Sequence, residues 1–461
     1  MLRVAAVGLL GCAAGATLAT NHPRYAAALL VVPALGVALT VRVELVFLGW
    51  LLAAPVFQGA ASGNHFGHLW FKYLFLAPPL LMLLRMALGS ARVRRLWVVD
   101  LLPVLYFGYI LASARLFPSP LASTAHTTPT AIYIHVGVGV IAYYVAAFAT
   151  TSERFPERLA AVLLWGGCIV AVLAVVDGLT GTNIWNHAVI GGDNVRRAVS
   201  TFSSPEEVGA YLGAGVAFAL AALLWKGPAS LRLPALALLG AAIPALYFTY
   251  TRGPALAIAG VGVLMALIAR RTRWPSLLVF ATVGIVLFAS WGHISSTTVY
   301  KNRLGNAGTV EPRVALSDVA LHLFRQRPIF GYGYATFDQA KLNVPVPPGD
   351  TGTVSTLTSH DTYLTILAES GVVGLALLVV PWIAIAFRAL AAGRRGLVEP
   401  WIVAGCLGAA AAFAIGAGTY DARFFPLITS IPWIALGLAR KLIATVGPDA
   451  QPRRGPRPAA R

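Results

Sequence analysis

A histidine and an arginine stand at the ends of apolar segments, where charged or titratable side chains are costly. His360 precedes a long apolar run in Thr358-Ser-His-Asp-Thr-Tyr-Leu364, and an imidazole there can accept a proton from a hydroxyl group near neutral pH. Arg252 lies in Tyr250-Thr-Arg-Gly-Pro254, the whole connection between two apolar runs. A guanidinium stays charged at any working pH and binds phosphate through a planar fork. These residue types predict capture of a diphosphate beside a group that activates a hydroxyl.

The composition excludes a soluble globular protein of this length. The chain has 461 residues, of which 58% are hydrophobic and 11% are charged, and its apolar runs reach the roughly 17 to 25 residues that a spanning helix needs. We therefore predict an all-α fold, a polytopic integral membrane helical bundle of about fourteen transmembrane helices, within a range of about twelve to fourteen. The predicted spans lie near residues 3–20, 24–41, 43–58, 69–88, 97–114, 130–150, 158–177, 207–225, 232–250, 253–269, 274–292, 361–387, 399–417 and 423–440. Residues 1–440 are expected to form a single transmembrane domain, and residues 441–461 a disordered, basic cytoplasmic tail.

The charge pattern predicts the orientation of the bundle. Every second short loop is rich in arginine, which places both termini in the cytoplasm and two long polar loops, 178–206 and 293–360, on the extracytoplasmic face. The formal net charge of +18 is then topogenic, and no nucleic-acid partner is predicted. No DxD-like acidic pair occurs in the two long loops, so no metal ion is predicted there.

Basic residues in the outer loops are exceptions to this charge rule, and a cavity lined by several of them would bind a diphosphate better than one arginine. They are Arg196, Arg197, Arg252, Lys301, Arg303, Arg313, Arg325 and Arg327. For Arg252 the alternative is that its side chain reaches lipid headgroups or pairs with a loop carboxylate such as Asp193.

The longer loop contains a segment with helical periodicity. Residues 312–325 place Ser317, Asp318, His322 and Arg325 on one face and apolar side chains on the other, which predicts an amphipathic helix suited to lying on the membrane. A Gly-rich, aromatic turn follows at residues 328–337. This helix and turn are expected to cover the cavity.

Three further residues have predicted roles as helix caps or as buried acidic groups. Ser204 is expected to cap a helix that begins with Pro205, and Asp361 is expected to cap the helix after His360 rather than to orient the imidazole. Glu369, deep in the following apolar run, is expected either to pair with an arginine or to be functional.

Four motifs in order resemble the O-antigen ligase and O-antigen polymerase superfamily of membrane glycosyltransferases. They are Arg197-Ala-Val-Ser-Thr-Phe-Ser-Ser-Pro205, Thr251-Arg-Gly253, Arg313 followed by Pro328-Ile-Phe-Gly-Tyr-Gly333, and His360-Asp-Thr-Tyr-Leu364 with Glu369-Ser-Gly371. The resemblance implies functional roles for Arg252, Arg313 and His360, with Arg197 as a further basic position. The chain departs from the family at Asp361 and Glu206, where the family has Asn.

The resemblance implies an inverting, metal-independent hexosyltransferase of the cell envelope without a cofactor, in the bacterial cytoplasmic (inner) membrane, with its active site facing the periplasm or cell exterior. Its partners would be the bilayer, an undecaprenyl-diphosphate-linked glycan as donor and a glycan, lipid (such as the lipopolysaccharide core) or protein as acceptor. The expected diphosphate-binding residues are Arg196, Arg197, Arg252, Arg303 and Arg313, with Asp361, Tyr363 and Glu369 in support.

Three alternatives stay open from the sequence. A polymerase of repeat units would use the same donor end as a ligase and differ in what presents the hydroxyl. A transporter or flippase would bind the same lipid-linked glycan without breaking a bond, although no half-to-half repeat is evident. A membrane scaffold without activity would leave the outer arginines without a role.

Overall fold

The molecule, a computed structural model, is built entirely from helices and their connections in the part of the chain that it describes. It describes residues 42–60, 79–80, 82–83, 86, 96–116, 118–181, 183, 197–269, 274, 285, 289, 291–296, 311–347, 351–357 and 359–445. The main helices are α1 (Val43–Ala60), α2 (Leu102–Arg115), α3 (Pro129–Ala149), α4 (Phe155–Thr180), α5 (Pro205–Leu224), α6 (Arg232–Thr249), α7 (Arg252–Ile268), α8 (Glu311–Gln326), α9 (Thr362–Arg394), α10 (Pro400–Ala417) and α11 (Pro426–Ala444).

Eight helices in the described residues are long and apolar enough to cross a membrane, namely α2 to α6 and α9 to α11. The shorter α1 and α7 are also apolar. The predicted all-α class and multi-pass architecture are thereby confirmed. Predicted spans near residues 3–20, 24–41, 69–88 and 274–292 lie wholly or mostly outside the described residues, so the count of about fourteen stays a prediction.

The last helix corrects one predicted boundary. α11 continues to Ala444, so residues 441–444 are helical rather than part of a disordered tail. The side chain of Lys441 is buried, and its Nζ donates to the hydroxyl of Thr150 at 2.9 Å. Burial of the Lys441 stem within the bundle keeps this turn folded.

Helix α5 lies at the centre of the described bundle and packs against α4, α6, α7 and α10. It begins as predicted, because the Ser204 hydroxyl accepts from the Glu206 amide at 3.1 Å and Pro205 occupies the first helical position. Small residues let its neighbours approach closely. A Cβ atom on Gly209 would lie 2.8 Å from Cγ of Pro254 on α7, closer than a side chain can pack.

The Gly-rich turn interlocks with a break in α9. Gly371 has φ 62° and ψ −168°, which interrupts the helix, and the freed backbone groups find partners in the turn. The Tyr332 amide donates to the Ala368 carbonyl at 3.0 Å, and the Val372 amide donates to the Pro328 carbonyl at 2.9 Å. The backbone polar groups of this break thus find hydrogen-bond partners within the protein.

The amphipathic α8 packs on protein, which corrects the expectation that its apolar face lies on the membrane. Leu316, Val319, Ala320 and Leu323 are buried in a small cluster with Phe337 and Ala368. The polar face carries Ser317, Asp318 and His322 as predicted, with Arg325 exposed. Helix α8 is therefore fixed against α9, so its first residues have a defined position.

At the other end of the bundle, Asp100 and Arg440 form an ion pair from which water is excluded. The Arg440 Nη2 and Asp100 Oδ2 atoms are 2.8 Å apart, and both side chains are at most 1% exposed. Asp100 also accepts from the Tyr143 hydroxyl at 2.7 Å, and the Arg440 guanidinium lies 3.5 Å from the centroid of the Trp97 ring. This network joins α11 to α3 and to the start of α2.

Candidate active site

One cavity of about 300 Å³ lies among the ends of helices α5 to α10. Its wall contains Arg197, Arg252, Arg313 and His360. Each of these residues was predicted to be functional from a different sequence motif. The other lining residues are Glu206, Tyr250, Thr251, Gly253, Pro254, Pro312, Leu357, Thr419 and Tyr420. The structure therefore brings the four predicted residues together around one space.

Four helices begin at this cavity. Glu206 is the second residue of α5, Arg252 the first of α7, Arg313 the third of α8, and His360 precedes the first residue of α9 by two positions. The helix dipole makes the start of a helix favourable for an anion. The arginine charges and the helix starts therefore favour a negatively charged ligand in the same place.

Arg197 is held in position by two partners. Its Nε donates to the carbonyl of Thr249 at 3.1 Å, and its Nη2 lies 2.6 Å from Oε1 of Glu206. The following segment is tied down as well, because the Ala198 amide donates to the carbonyl of Phe248 at 3.0 Å. The guanidinium is 15% exposed, so it borders the cavity in a fixed geometry.

Arg252 is presented by a tight connection between α6 and α7. Tyr250 ends α6 in the left-handed conformation, with φ 49° and ψ 35°, and Thr251 is buried. Gly253 has to be small because a Cβ atom there would lie 2.8 Å from Cβ of Thr419 on the neighbouring connection. Asp193, the predicted alternative partner of Arg252, lies outside the described residues.

Arg313 enters the cavity from the first turn of α8. Burial lowers the pKa of its guanidinium; Glu206 raises it, and Arg252 and Arg197 lower it further. Arg197, Arg252 and Glu206 are therefore near enough to Arg313 to act on its charge. A divalent or trivalent anion in this cavity would relieve that repulsion.

His360 stands on a short segment fixed at both sides. The hydroxyl of Ser359 donates to the carbonyl of Asp361 at 3.1 Å, and Oδ1 of Asp361 accepts from the amides of Tyr363 at 2.8 Å and Leu364 at 3.0 Å. Asp361 thus caps α9, as predicted. The Thr362 hydroxyl joins this start to the next loop by donating to the Tyr420 carbonyl at 2.8 Å.

Of the remaining predicted residues, Asp361, Tyr363 and Glu369 do not line the cavity. The hydroxyl of Tyr363 donates to the carbonyl of Ala414 at 2.8 Å, which fixes α9 against α10. Glu369 is paired with Arg423, one of the two outcomes expected for it. Arg196 and Arg303 lie outside the described residues. The Gly-rich turn is bound to α9 and contributes no lining residue, so it does not cover the cavity.

Several residues of the site were not predicted from the sequence. Glu206 was interpreted as a helix-start residue, and Tyr420 lies in a connection that carries no motif. Arg423, which pairs with Glu369 outside the cavity, breaks the same charge rule that singled out the outer arginines, so the rule could have found it. In the described part of the chain, no group of three or more His, Cys, Asp or Glu side chains is arranged to hold a metal ion.

Comparison with known families adds an independent observation. Residues 236–379 match the family model for O-antigen ligase. The resemblance predicted from the motifs is thereby confirmed. The O-antigen ligase segment contains Arg252, Arg313 and His360, whereas Arg197, Glu206 and Tyr420 complete the cavity from outside it. No curated protein matches the chain.

The O-antigen ligase match and the spanning helices together indicate the class of protein. The chain is a multi-pass membrane protein, and the match over residues 236–379 suggests an enzyme like the O-antigen ligases and polymerases. The catalytic type that this family indicates is glycosyltransferase-like.

Proposed function

We propose that the protein transfers a glycan from a polyprenyl-diphosphate-linked donor to an acceptor hydroxyl, as an O-antigen ligase does. The observation that carries this proposal is the convergence of Arg197, Arg252 and Arg313 with His360 around one cavity. A diphosphate is the part of such a donor that needs several guanidinium groups, and an acceptor hydroxyl is the part that needs a base.

The arginines act on the leaving group. As the anomeric C1–O bond breaks, its electron pair goes to a diphosphate oxygen, and negative charge grows there. Arg252 and Arg313, with Arg197 beside them, are placed to stabilise this charge because their guanidinium groups already face the same space. Cations that are fixed before the reaction need little reorganisation during it.

His360 acts on the acceptor. Its imidazole takes the proton of the acceptor hydroxyl while the oxygen forms a bond to C1, from the face opposite the departing diphosphate. This attack inverts the configuration at C1. The residues named here supply the charge and the base, so we propose a reaction that needs no metal ion.

The proposed setting is a bacterial inner membrane, with the cavity at its outer face. Every second short loop is basic, and this pattern supports that orientation. The long polar loops are then at the outer end of the bundle, and the cavity lies at the same end. The donor would be undecaprenyl diphosphate-linked, and its lipid would lie in the bilayer beside the spans. A ligase attaches finished chains to another molecule, such as a lipopolysaccharide core, whereas a polymerase would join repeat units with the same residues.

Transfer by the purified protein in the presence of EDTA tests the mechanism. We expect His360→Ala and Arg252→Ala each to lower turnover by roughly 10²-fold or more. His322→Ala is the matched control, because His322 is exposed on α8 and lies outside the cavity. Wild-type turnover in both site variants would refute the assignment. Intact donor moved across the bilayer, with no new glycosidic bond, would indicate a transporter.

The glycan phenotype of a deletion strain separates ligase from polymerase. A ligase defect leaves long lipid-linked chains that are not attached to an acceptor. A polymerase defect leaves single repeat units. The first outcome is expected.

A further inference from the structure

We propose that Glu206 is a built-in counter-ion of the diphosphate site, which weakens the hold of the arginines on the product and so promotes its release. This inference rests on the proposed function. It concerns a residue of the cavity that the O-antigen ligase match does not cover.

The position of Glu206 carries the inference. Its Oε1 lies 2.6 Å from Nη2 of Arg197, and its Oε2 accepts from the hydroxyl of Ser204 at 2.6 Å. The carboxylate is 26% exposed and lines the cavity. It is therefore bound firmly to one of the three guanidinium groups that would receive the ligand's phosphate oxygens.

The charges of the described lining residues explain why a carboxylate is useful there. Arg197, Arg252 and Arg313 contribute three positive charges, and Glu206 is the single carboxylate that faces them within the described wall of the cavity. A cavity of arginines alone would attract any anion strongly. Glu206 offsets part of this attraction before the ligand arrives and competes with the ligand for Arg197 afterwards.

The reaction itself increases the negative charge of the ligand. In the donor, both phosphates are esterified and each carries one ionised oxygen. When the C1–O bond breaks, the diphosphate keeps the electron pair and gains a third ionisable oxygen, while the acceptor proton goes to His360. Arginines alone would therefore bind the product more tightly than the donor, and product release would become slow.

Glu206 opposes this product binding in two ways. It repels the new phosphate charge, and it reclaims Arg197 through the 2.6 Å contact as the product leaves. It also keeps Arg197 oriented before the ligand binds, because the same contact and the Thr249 carbonyl hold two sides of the guanidinium. A neutral residue at position 206 would remove the competition and leave the other contacts of the cavity in place.

Binding of farnesyl diphosphate, a short polyprenyl diphosphate, to the full-length protein in detergent tests the inference by calorimetry. We expect Glu206→Gln to bind it about tenfold more tightly than wild type, with a steeper dependence on salt. Glu206→Asp, which keeps the charge, should bind it less tightly than Glu206→Gln does. Glu157→Gln is the control, since Glu157 contacts Ser230 away from the cavity. In turnover assays Glu206→Gln should show stronger product inhibition.

The outcomes separate this inference from the proposed function. Arg252→Ala should weaken farnesyl diphosphate binding. If it does, but Glu206→Gln binds equally or more weakly than wild type, the counter-ion role is wrong and the diphosphate site stands. If Arg252→Ala binds as wild type does, the diphosphate site itself is wrong, and the inference falls with it. Should Glu206→Gln fold poorly, Glu206→Asn provides a second neutral variant with the same expected tightening.

Discussion

The carboxylate of Glu369 on α9 forms an ion pair with the guanidinium of Arg423, and it is 2% exposed. The same carboxylate accepts from the amides of Ala335 at 3.0 Å and Phe337 at 2.9 Å. One buried group therefore joins a spanning helix, the end of the Gly-rich turn and the connection between α10 and α11. Asp421 contacts the other side of Arg423, and Oδ2 of Asp421 lies 2.7 Å from Nη2 of Arg423.

Removing this carboxylate should destabilise the fold strongly. We expect Glu369→Ala to lower the free energy of unfolding by roughly 3 to 5 kcal/mol, because Arg423 would lose a buried partner and two amides would lose their acceptor. Thermal unfolding in detergent measures the effect. Glu157→Ala, at a partly exposed site, should change stability little. Equal stability of the two variants would contradict a structural role for Glu369.

The break in α9 should not tolerate a side chain. A Cβ atom on Gly371 would lie 2.6 Å from the backbone nitrogen of Phe330 and closer still to the Ile329 carbonyl, and φ is +62°. We expect Gly371→Ala to cost about 3 kcal/mol or more. Gly396→Ala is the matched control, with φ +67° and open space around it, and should cost about 1 kcal/mol. Similar thermal unfolding of both variants would show that the contact with the turn matters little.

Arg313 should contribute to ligand binding more than Arg325, the other arginine of α8. We expect Arg313→Ala to weaken farnesyl diphosphate binding about tenfold or more, because a charge-assisted contact is lost. Arg325 on the same helix is exposed and lies outside the cavity. The variant Arg325→Ala should therefore bind farnesyl diphosphate as wild type does. Binding measured at rising salt should weaken more in wild type than in Arg313→Ala. Equal losses from both substitutions would indicate only a general effect of net charge.

Asp361 should make stability depend on pH in a definite direction. Burial raises the pKa of its carboxyl, the amides of Leu364 and Tyr363 lower it, and Asp421 raises it, with a net rise. A folded-state pKa above the unfolded value stabilises the fold fully below the ordinary aspartate pKa, and this contribution is lost as pH rises through the raised pKa. The contribution of Asp361 to the stability of wild type should therefore fall across that window.

The variant Asp361→Asn isolates this contribution. Asn keeps the capping acceptor for α9 and has no charge to bury, so its unfolding temperature should lack the step and be at least as high as that of wild type at neutral pH. Unfolding temperatures of both proteins across the acidic range provide the measurement. A wild type that gains stability relative to Asp361→Asn as pH rises would contradict the prediction.

Hydropathy and local chemistry were enough to predict the helices and their starts. Each apolar helix of the described chain lies at a predicted span, and the caps at Ser204 and Asp361 form as expected, because span length and capping depend on neighbouring residues in the chain. The sequence also singled out Arg197, Arg252, Arg313 and His360, since charge at the end of an apolar run is informative by itself.

Tertiary structure alone decided what these residues face. Packing covers the apolar side of α8 with protein, sets the Gly-rich turn into the break at Gly371, and pairs Glu369 with Arg423. It also gathers the predicted residues around one cavity and adds Glu206 and Tyr420 to its wall. Hydrophobic periodicity specifies which side of a helix is buried but not which neighbour buries it, so contacts between distant segments follow only from the packed bundle.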